Sequence, residues 1–257
     1  MRIHCTVILA IAFIHILSAQ TDSSAIPRTI VRGKAIIQKA INTADQELFA
    51  KAENLLEPAR HERRFAPLGN YYLGYAAYKR STILLQIDKD KANVYLDSAV
   101  VRFEEAISQD NAFAEAYALL AGCYGLKISI APIKGMILGM KSGTLLSTAK
   151  KLAPTNPRVA MQRAISTYNT PSIFGGGKEK GLEEMNSAAV LFDRWASTDS
   201  LQPDWGKDEI WAWIGLARMD RKETIQAKRA FERALDINPD NGWVKHVLLP
   251  KLASEAR

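Results

Sequence analysis

Cysteine and histidine are scarce in this chain of 257 residues, which contains two Cys and four His. Beyond the apolar N-terminal segment only Cys123, His61 and His246 remain. A single Cys cannot form an intramolecular disulfide, and the apolar neighbours of Cys123 predict a buried, unreactive thiol. Because zinc sites need several Cys or His ligands at close spacing, the sequence predicts no metal site.

The motifs of common catalytic sites are also absent. His61 is followed by Glu-Arg-Arg and lacks the second His of a zinc-protease helix, and there is no G-x-S-x-G motif. The run Gly175-Gly176-Gly177-Lys178 does not have the spacing of a phosphate-binding P-loop. We expect a turn between two helices, in which Gly permits a positive φ and Phe174 packs into the core. The sequence therefore predicts no catalytic residue, no cofactor and no enzymatic activity.

No uninterrupted apolar run is long enough to span a membrane. The run VILAIAFIHIL follows a short cationic start and ends at Leu17, which begins the sequence Leu17-Ser18-Ala19. It has about half the length of a transmembrane helix, and the small residues after it suit signal peptidase. We interpret residues 1–19 as a signal peptide and residues 20–257 as one exported domain without a membrane span, periplasmic in a bacterium. An N-terminal membrane anchor is the alternative.

Long blocks of one charge are missing as well. The formal net charge is +7, but the basic clusters HERR, KDK and KEK are short and mixed with acids. A nucleic-acid site would collect Lys and Arg on one face, whereas this pattern is typical of a solvated helical surface. We therefore expect no nucleic-acid partner.

A spaced pattern of aromatic and small residues is present near the C-terminus. Its members, in order, are Trp211, Ile214, Gly215, Ala227, Phe231, Ala234 and Pro239. Small residues where two helices cross allow the backbones to approach closely, and the aromatic rings fill the space beside them. This spacing resembles the tetratricopeptide repeat, a helical hairpin of about 34 residues. Arg218 departs from the pattern, because an aromatic residue is usual at its position.

The same spacing recurs earlier in the chain, so that 62–125 and 208–241 are the clearest repeat segments. Ala99, Phe103 and Ala106 match a second repeat helix, and Leu73-Gly74 matches the helix before it, expected over about 62–86. Weaker matches flank these segments, and a Thr43–Gln46 capping box predicts a helix through Leu56. No segment alternates apolar and polar residues in the way that is typical of a β-strand. The prediction is an all-α, right-handed solenoid of ten or eleven helices, with a terminal helix over about 241–254.

The apolar stretch LKISIAPIKGMILGM, from Leu126 to Met140, interrupts the repeat pattern. Its Pro and Gly residues disfavour one continuous helix, and it is too short to span a membrane. We expect a buried, extended connection between two helices. An exposed segment that docks a partner is the alternative.

The resemblance implies a binding surface, because the first helix of each tetratricopeptide hairpin lines a concave groove. The corresponding positions are Tyr71, Tyr75 and Tyr78; then Glu115, Ala118, Gly122 and Gly125; and then Glu209, Ala212, Leu216 and Met219. The three Tyr share one helix face, so their hydroxyls could form the rim of a roomy groove. Packing of these Tyr against the N-terminal helices is the alternative.

Function is implied by this resemblance alone. Tetratricopeptide proteins bind peptides or proteins, so we expect a non-catalytic periplasmic scaffold with a protein or peptide partner, and a homo-oligomer is left open. The chain also resembles, more weakly, uncharacterised exported bacterial repeat proteins and the periplasmic repeat components of TRAP solute transporters. A solute-binding accessory component of a transport system is therefore the second hypothesis. A closed cavity lined by Tyr and charged groups would favour the solute.

Overall fold

The structure is a computed structural model that describes residues 25–197 and 199–255. These residues form α-helices with short 3₁₀ and π-helical turns, and no β-strand occurs among them. The predicted signal peptide lies outside the described residues. None of the described helices is both long and apolar enough to cross a membrane.

Eleven α-helices are found within the described ranges. They are α1 (Ala25–Thr43), α2 (Gln46–Leu56), α3 (Ala66–Leu84), α4 (Lys89–Gln109), α5 (Ala114–Ile130), α6 (Gly135–Leu152), α7 (Pro157–Asn169), α8 (Lys178–Arg194), α9 (Lys207–Asp220), α10 (Thr224–Ile237) and α11 (Leu249–Glu255). The predicted all-α architecture and the number of helices are confirmed.

Polar side chains define where several helices begin. Asp45 caps α2 by accepting hydrogen bonds from two backbone N–H groups, at 2.8 and 3.1 Å. Asp88 and Asn156 cap α4 and α7 in the same way. These caps satisfy N–H groups that have no partner within the helix. Thr43 was expected to open α2, but it ends α1 and bonds back to Lys39.

The helices pack as consecutive pairs, α1 with α2, α3 with α4, α5 with α6, α7 with α8 and α9 with α10. Short connections make the two members of each pair antiparallel. The first members, α1, α3, α5 and α7, also contact one another in a row and form the inner layer of the stack. We call these, together with α9, the lead helices. The result is a helical solenoid in which successive pairs bury each other's apolar faces.

Two glycines lie where the helices of a pair cross, as the spacing predicted. A Cβ on Gly215 would lie only 2.3 Å from a ring carbon of Phe231, and one on Gly74 would lie 2.9 Å from a ring carbon of Phe103. Both Phe side chains are fully buried. Any larger residue would therefore force the two helices of each pair apart.

The C-terminal residues cover the last repeat. A π-helical turn over Val244–Leu248 leads into α11. Val244, Leu248 and Leu252 are buried together with Phe231 of α10. The predicted terminal helix is therefore present, and it closes the apolar end of the stack.

The stretch from Leu126 to Met140 is helical over most of its length. α5 continues to Ile130, a 3₁₀ turn covers Pro132–Lys134, and α6 starts at Gly135. The expectation of a buried, extended connection is wrong, because the Pro breaks the helix over only a few residues. The apolar side chains after the break point into solvent.

The glycine run forms the turn between α7 and α8. Gly175 and Gly177 have positive φ, as predicted. The N–H groups of Gly175, Gly176 and Gly177 donate to the carbonyls of Ser172, Pro171 and Thr167. These N–H groups are not free to hold a phosphate, so the turn interpretation is supported. Phe174, however, is exposed instead of packing into the core, because the short 3₁₀ turn before Gly175 directs it outward.

Candidate functional site

The predicted groove tyrosines lie on α3, the most deeply buried helix of the inner layer. Tyr71, Tyr75 and Tyr78 have exposed fractions of 0%, 4% and 9%. Tyr71 also stacks on Phe113, with the ring centroids 4.6 Å apart. The three side chains belong to the core of the folded chain and not to an open rim. The rings stacked on Tyr71 and Tyr75 are those of Phe113 and Trp205, not side chains of the N-terminal helices as the packing alternative proposed. Burial raises the pKa of all three hydroxyls, so they stay neutral at ordinary pH.

The cover over these tyrosines comes from a distant part of the chain. Residues 195–206, here called the crossing segment, connect α8 to α9. Trp205 stacks on Tyr75 with centroids 4.8 Å apart and ring planes at 20°. Its indole N–H donates to the Tyr71 hydroxyl at 2.9 Å. The crossing segment thus fills the space beside the inner layer with an aromatic anchor.

Backbone contacts hold the crossing segment in place. Lys34 Nζ of α1 donates to the carbonyls of Ser200 and Gln202, each at 2.7 Å. The Tyr72 hydroxyl of α3 donates to the carbonyl of Leu201 at 2.6 Å. Lys34 also forms an ion pair with Asp204 at 3.1 Å. The N-terminal helices therefore bind this segment mainly through its main chain.

A buried ion pair lies next to the aromatic anchor. Lys79 Nζ contacts Glu209 Oε2 at 2.6 Å, and their side chains are only 9% and 19% exposed. The same ammonium group lies 5.7 Å from the ring centre of Tyr75 and 5.9 Å from that of Trp205. The candidate groove residue Glu209 is thus already paired, and its partner, Lys79, adds a cation–π contact to the aromatic stack.

Glu115, the next candidate, is occupied in the same manner. Its Oε1 accepts from Asn156 Nδ2 at 2.6 Å and from Arg158 Nε at 3.3 Å. Arg158 is fully buried and lies over the ring of Trp195, 5.0 Å from its centre. Glu115 and Arg158 thus link α5 to α7, and Arg158 also links α7 to the start of the crossing segment. We conclude that Glu115 joins neighbouring repeats in the folded chain.

The remaining candidates lie near the C-terminal end of the stack. Ala212 and Met219 are buried against the cluster that contains Leu248 and Leu252, and Leu216 packs partly against it. The terminal helix covers this side of α9. Earlier in the stack, Ala118 is buried, Gly122 lies close to the Tyr78 ring, and Gly125 has open space around its Cα. The predicted groove positions are therefore largely covered by the chain's own segments.

An open cleft remains between α1, α3 and the crossing segment. Its volume is about 440 Å³. The walls include Lys34, Tyr72, Tyr75, Asp204 and Trp205. The volume lies in the usual range for a small-ligand site. The aromatic residues of its walls are nearly closed off, since Tyr72, Tyr75 and Trp205 are at most 6% exposed.

Sequence reasoning missed the crossing segment and its contacts. A Pro and a Trp in the polar linker LQPDWGKDE, which is longer than a usual repeat turn, were the available signal. Lys34 and Tyr72 gave no signal, because they lie on helices far away in sequence. Among the described residues no group of three or more His, Cys, Asp or Glu could hold a metal ion.

Two solved structures have an architecture similar to that of this chain. The HusA haemophore from Porphyromonas gingivalis superimposes with a TM-score of 0.65 at 20% identity, over 77% of this chain and 96% of that chain. TTC0263, a tetratricopeptide protein of Thermus thermophilus, superimposes with a TM-score of 0.55 at 15% identity, over 86% of this chain and 97% of that chain. The chain has a tetratricopeptide repeat fold. No family model and no curated protein matches the sequence.

The tetratricopeptide fold explains how the contacts arise. Its lead helices line one side of the solenoid, and in this chain that side carries Tyr71, Tyr75, Glu115 and Glu209. The crossings at Gly74 and Gly215 show that the predicted register of these two repeats is correct. The difference lies in what covers that side, which is the crossing segment in the middle and the terminal helix at the end.

Proposed function

We propose that this protein is an exported, periplasmic and non-catalytic scaffold that binds a protein segment along the lead helices. The proposal rests on the position of Trp205 against Tyr71 and Tyr75. An irregular piece of chain already occupies the groove side of the solenoid, and its Trp205 ring stacks on Tyr75 and donates to the Tyr71 hydroxyl. The groove thus has the chemistry to accept a polypeptide, and a partner segment would take the place of the crossing segment.

The contacts specify what kind of segment would fit. The segment's carbonyls accept from Lys34 and Tyr72, which requires main-chain carbonyls but no particular side chain. Selectivity comes from the aromatic ring stacked on Tyr75 and from the ammonium group of Lys79 beside it. Aromatic anchors of this kind commonly dominate the energy of an interface. We therefore expect a partner segment that carries an exposed Trp, Tyr or Phe.

A peptide added in trans tests this proposal. Trp205→Ala should lower the melting temperature by removing the anchor. A synthetic peptide of residues 199–206 should restore it by displacing the altered crossing segment and placing its own Trp on Tyr75. The same peptide with Ala in place of Trp should restore little. We expect a dissociation constant between about 10 µM and 1 mM, because a single aromatic anchor and a few hydrogen bonds give modest affinity.

Trp243→Ala provides the matched control. Trp243 packs on Trp213 near the C-terminal end, outside the groove, so the peptide should not restore the stability of that variant. Failure of the peptide to bind or stabilise Trp205→Ala at millimolar concentration would argue against a segment-binding groove.

The second candidate is a solute-binding component, and the open cleft of about 440 Å³ favours it. The structural similarity to a protein described as a haemophore suggests a porphyrin as the first solute to test. Tyr72, Tyr75 and Trp205 line this cleft but are almost fully buried, so a porphyrin would have to displace the crossing segment to reach their faces. Displacement would also free Lys34, now paired with Asp204, for a carboxylate. Arg32, on the rim next to this cleft, adds a second cation.

Haemin titration followed by absorbance tests this second candidate. Ala35 lines the cleft, so Ala35→Trp should fill it and weaken haemin binding at least tenfold, while Ala160→Trp on α7 should not. Haemin binding that is unchanged in Ala35→Trp would place the solute outside the cleft. Absence of any haemin binding to the unmodified protein would remove a porphyrin from consideration.

A further inference from the structure

One edge of the solenoid exposes six large apolar side chains. They are Ile133, Met136, Ile137, Met140, Ile173 and Phe174, with exposed fractions between 61% and 93%. We call this set the apolar edge. Scattered exposed apolar residues are ordinary in soluble proteins, but a cluster of this kind commonly marks an interaction site. Its members play no part in the groove or the cleft.

The order of the helices brings the two parts of the apolar edge to the same side. Four members lie at the turn from α5 to α6, and the other two lie at the turn from α7 to α8. α5 packs beside α7, and each is antiparallel to the helix that follows it. The two turns are therefore neighbours on one edge of consecutive repeats.

The chain between the two turns of the apolar edge carries charge of one sign. Between Glu115 and Glu179 every charged residue is Lys or Arg. Lys127 is neutralised by Asp97 of the preceding repeat. Lys134 and Lys141 flank the apolar side chains of α6, are exposed, and form no ion pair with a described residue. Beside the turn from α7 to α8, Asp220 and Glu179 are paired with Lys178 and Arg221. Lys134 and Lys141 therefore give the apolar edge unpaired positive charge that complements an anionic surface.

The shape of this region favours a flat partner. The apolar side chains project from a corner of the solenoid, and a Cβ on Gly139 or Gly143 of α6 would meet no atom within 4 Å. A projecting corner cannot enclose a small molecule, which needs a concave site. Apolar side chains that project beside lysines are, by contrast, suited to the boundary between lipid headgroups and acyl chains.

We propose that the apolar edge binds the surface of an anionic lipid membrane. Ile133, Met136 and Phe174 enter the boundary of the acyl chains, and Lys134 and Lys141 contact the lipid phosphates. The protein is held at the membrane surface in this way without a helix that spans it. The groove side of the lead helices is separate from this edge.

Vesicle sedimentation tests the proposal with the full chain. We expect binding to vesicles of equal parts phosphatidylcholine and phosphatidylglycerol, and at least tenfold weaker binding to phosphatidylcholine alone. Binding should fall in 0.5 M NaCl, because salt screens the lysines. The triple variant Ile133→Ser, Met136→Ser, Ile137→Ser and the double variant Lys134→Glu, Lys141→Glu should each bind at least about tenfold more weakly.

Two other turns provide a matched control. Ile87 and Ile225 are also exposed apolar residues near turns between paired helices, but acidic residues lie close to both in sequence. The variant Ile87→Ser, Ile225→Ser should bind vesicles like the unmodified chain. Trp205→Ala, which tests the groove, should also leave vesicle binding unchanged, so failure of one proposal is distinguishable from failure of the other.

Three results would overturn the proposal. The first is no sedimentation with phosphatidylglycerol vesicles, and the second is equal binding by the triple Ser variant when circular dichroism shows that it is folded. The third is a dimer in sedimentation equilibrium that the triple Ser variant abolishes, without any vesicle binding. That result would assign the apolar edge to a second copy of the chain.

Discussion

Trp205 donates its indole N–H to the Tyr71 hydroxyl at 2.9 Å, and 134 positions of sequence separate the two residues. Both side chains are buried, so this hydrogen bond closes the crossing segment over the inner layer of helices. The bond matters energetically because a buried polar group that loses its partner bears the full cost of its desolvation. It is one of several contacts that keep the groove side of α3 closed, together with those of Lys34 and Tyr72.

Removing the Tyr71 hydroxyl, which accepts this hydrogen bond, should therefore destabilise the protein even though the aromatic ring is kept. Tyr71→Phe leaves the packing intact but leaves the Trp205 indole N–H without a partner, and we expect a loss of about 1–3 kcal/mol. Chemical denaturation measures this loss. Tyr124→Phe is the control, because its exposed hydroxyl makes only a 3.4 Å bond to Glu104 and should contribute little. Equal effects of the two variants would contradict the assigned bond.

Replacing Tyr71, Tyr75 and Tyr78 together with Ser should unfold the domain. Each ring is buried, and the loss of a large buried side chain costs roughly 3 kcal/mol or more. The sum exceeds the net stability of a typical domain. A melt followed by circular dichroism measures the outcome. A variant that melts near the unmodified protein would mean that the rings are accessible and return them to the set of groove residues.

Overpacking at a helix crossing should be costly, whereas the same change at an open glycine should not. Gly215→Leu collides with Phe231, and Ala227→Leu fills a fully buried site of the same pair. We expect each to cost about 1–3 kcal/mol or more in thermal melts. Gly139→Ala meets no neighbour and should gain up to about 1 kcal/mol from helix propensity. Unchanged melting of both Leu variants would contradict the repeat register.

The glycine turn should tolerate loss of its lysine. Lys178 forms a 2.8 Å ion pair with Asp220, but more than half of its side chain is exposed. Lys178→Ala should cost less than about 1 kcal/mol at pH 7, as exposed pairs usually do. Saturable, salt-sensitive phosphate binding that disappears in this variant would instead show that the turn holds an anion.

The effect of this lysine should depend on pH. Burial tends to raise the pKa of Asp220, but the hydrogen bonds from Lys178 and Tyr168 outweigh it and lower the pKa below its usual value. A carboxyl group with a lowered pKa stabilises the fold above its unfolded pKa of about 3.9, and this contribution is lost as pH falls through the folded pKa. The stability difference between Lys178→Ala and the unmodified chain should therefore shrink from pH 5 towards pH 3. Urea titrations at several pH values measure it.

The repeat register was predictable because it depends on neighbours along the chain. Gly215 and Phe231 lie on successive helices joined by a short turn, so a pattern of small and aromatic residues is enough to place their contact. The same local logic placed Gly74 against Phe103 and the terminal helix after α10. The buried, inert environment of Cys123 also followed from its apolar neighbours, and burial raises the pKa of its thiol.

Whether the apolar residues at the turns are buried or exposed was less predictable. Phe174 and the residues after Pro132 were expected inside the protein, because their hydrophobicity alone favours burial. The fold places them at the ends of helix pairs, where no later element covers them. The periodicity of a sequence shows which side chains share a face, but it does not show whether another segment lies against that face.

The sequence by itself determined the helices, their pairing and the close crossings, since these rest on propensity, capping and contacts between successive helices. Only the tertiary structure decided that Tyr71, Tyr75 and Tyr78 are core residues and that Ile133 and its neighbours are exposed. The physical reason is the range of the interactions. Trp205 and Lys34 reach their partners from more than a hundred positions away, and such contacts leave no regular spacing in the sequence.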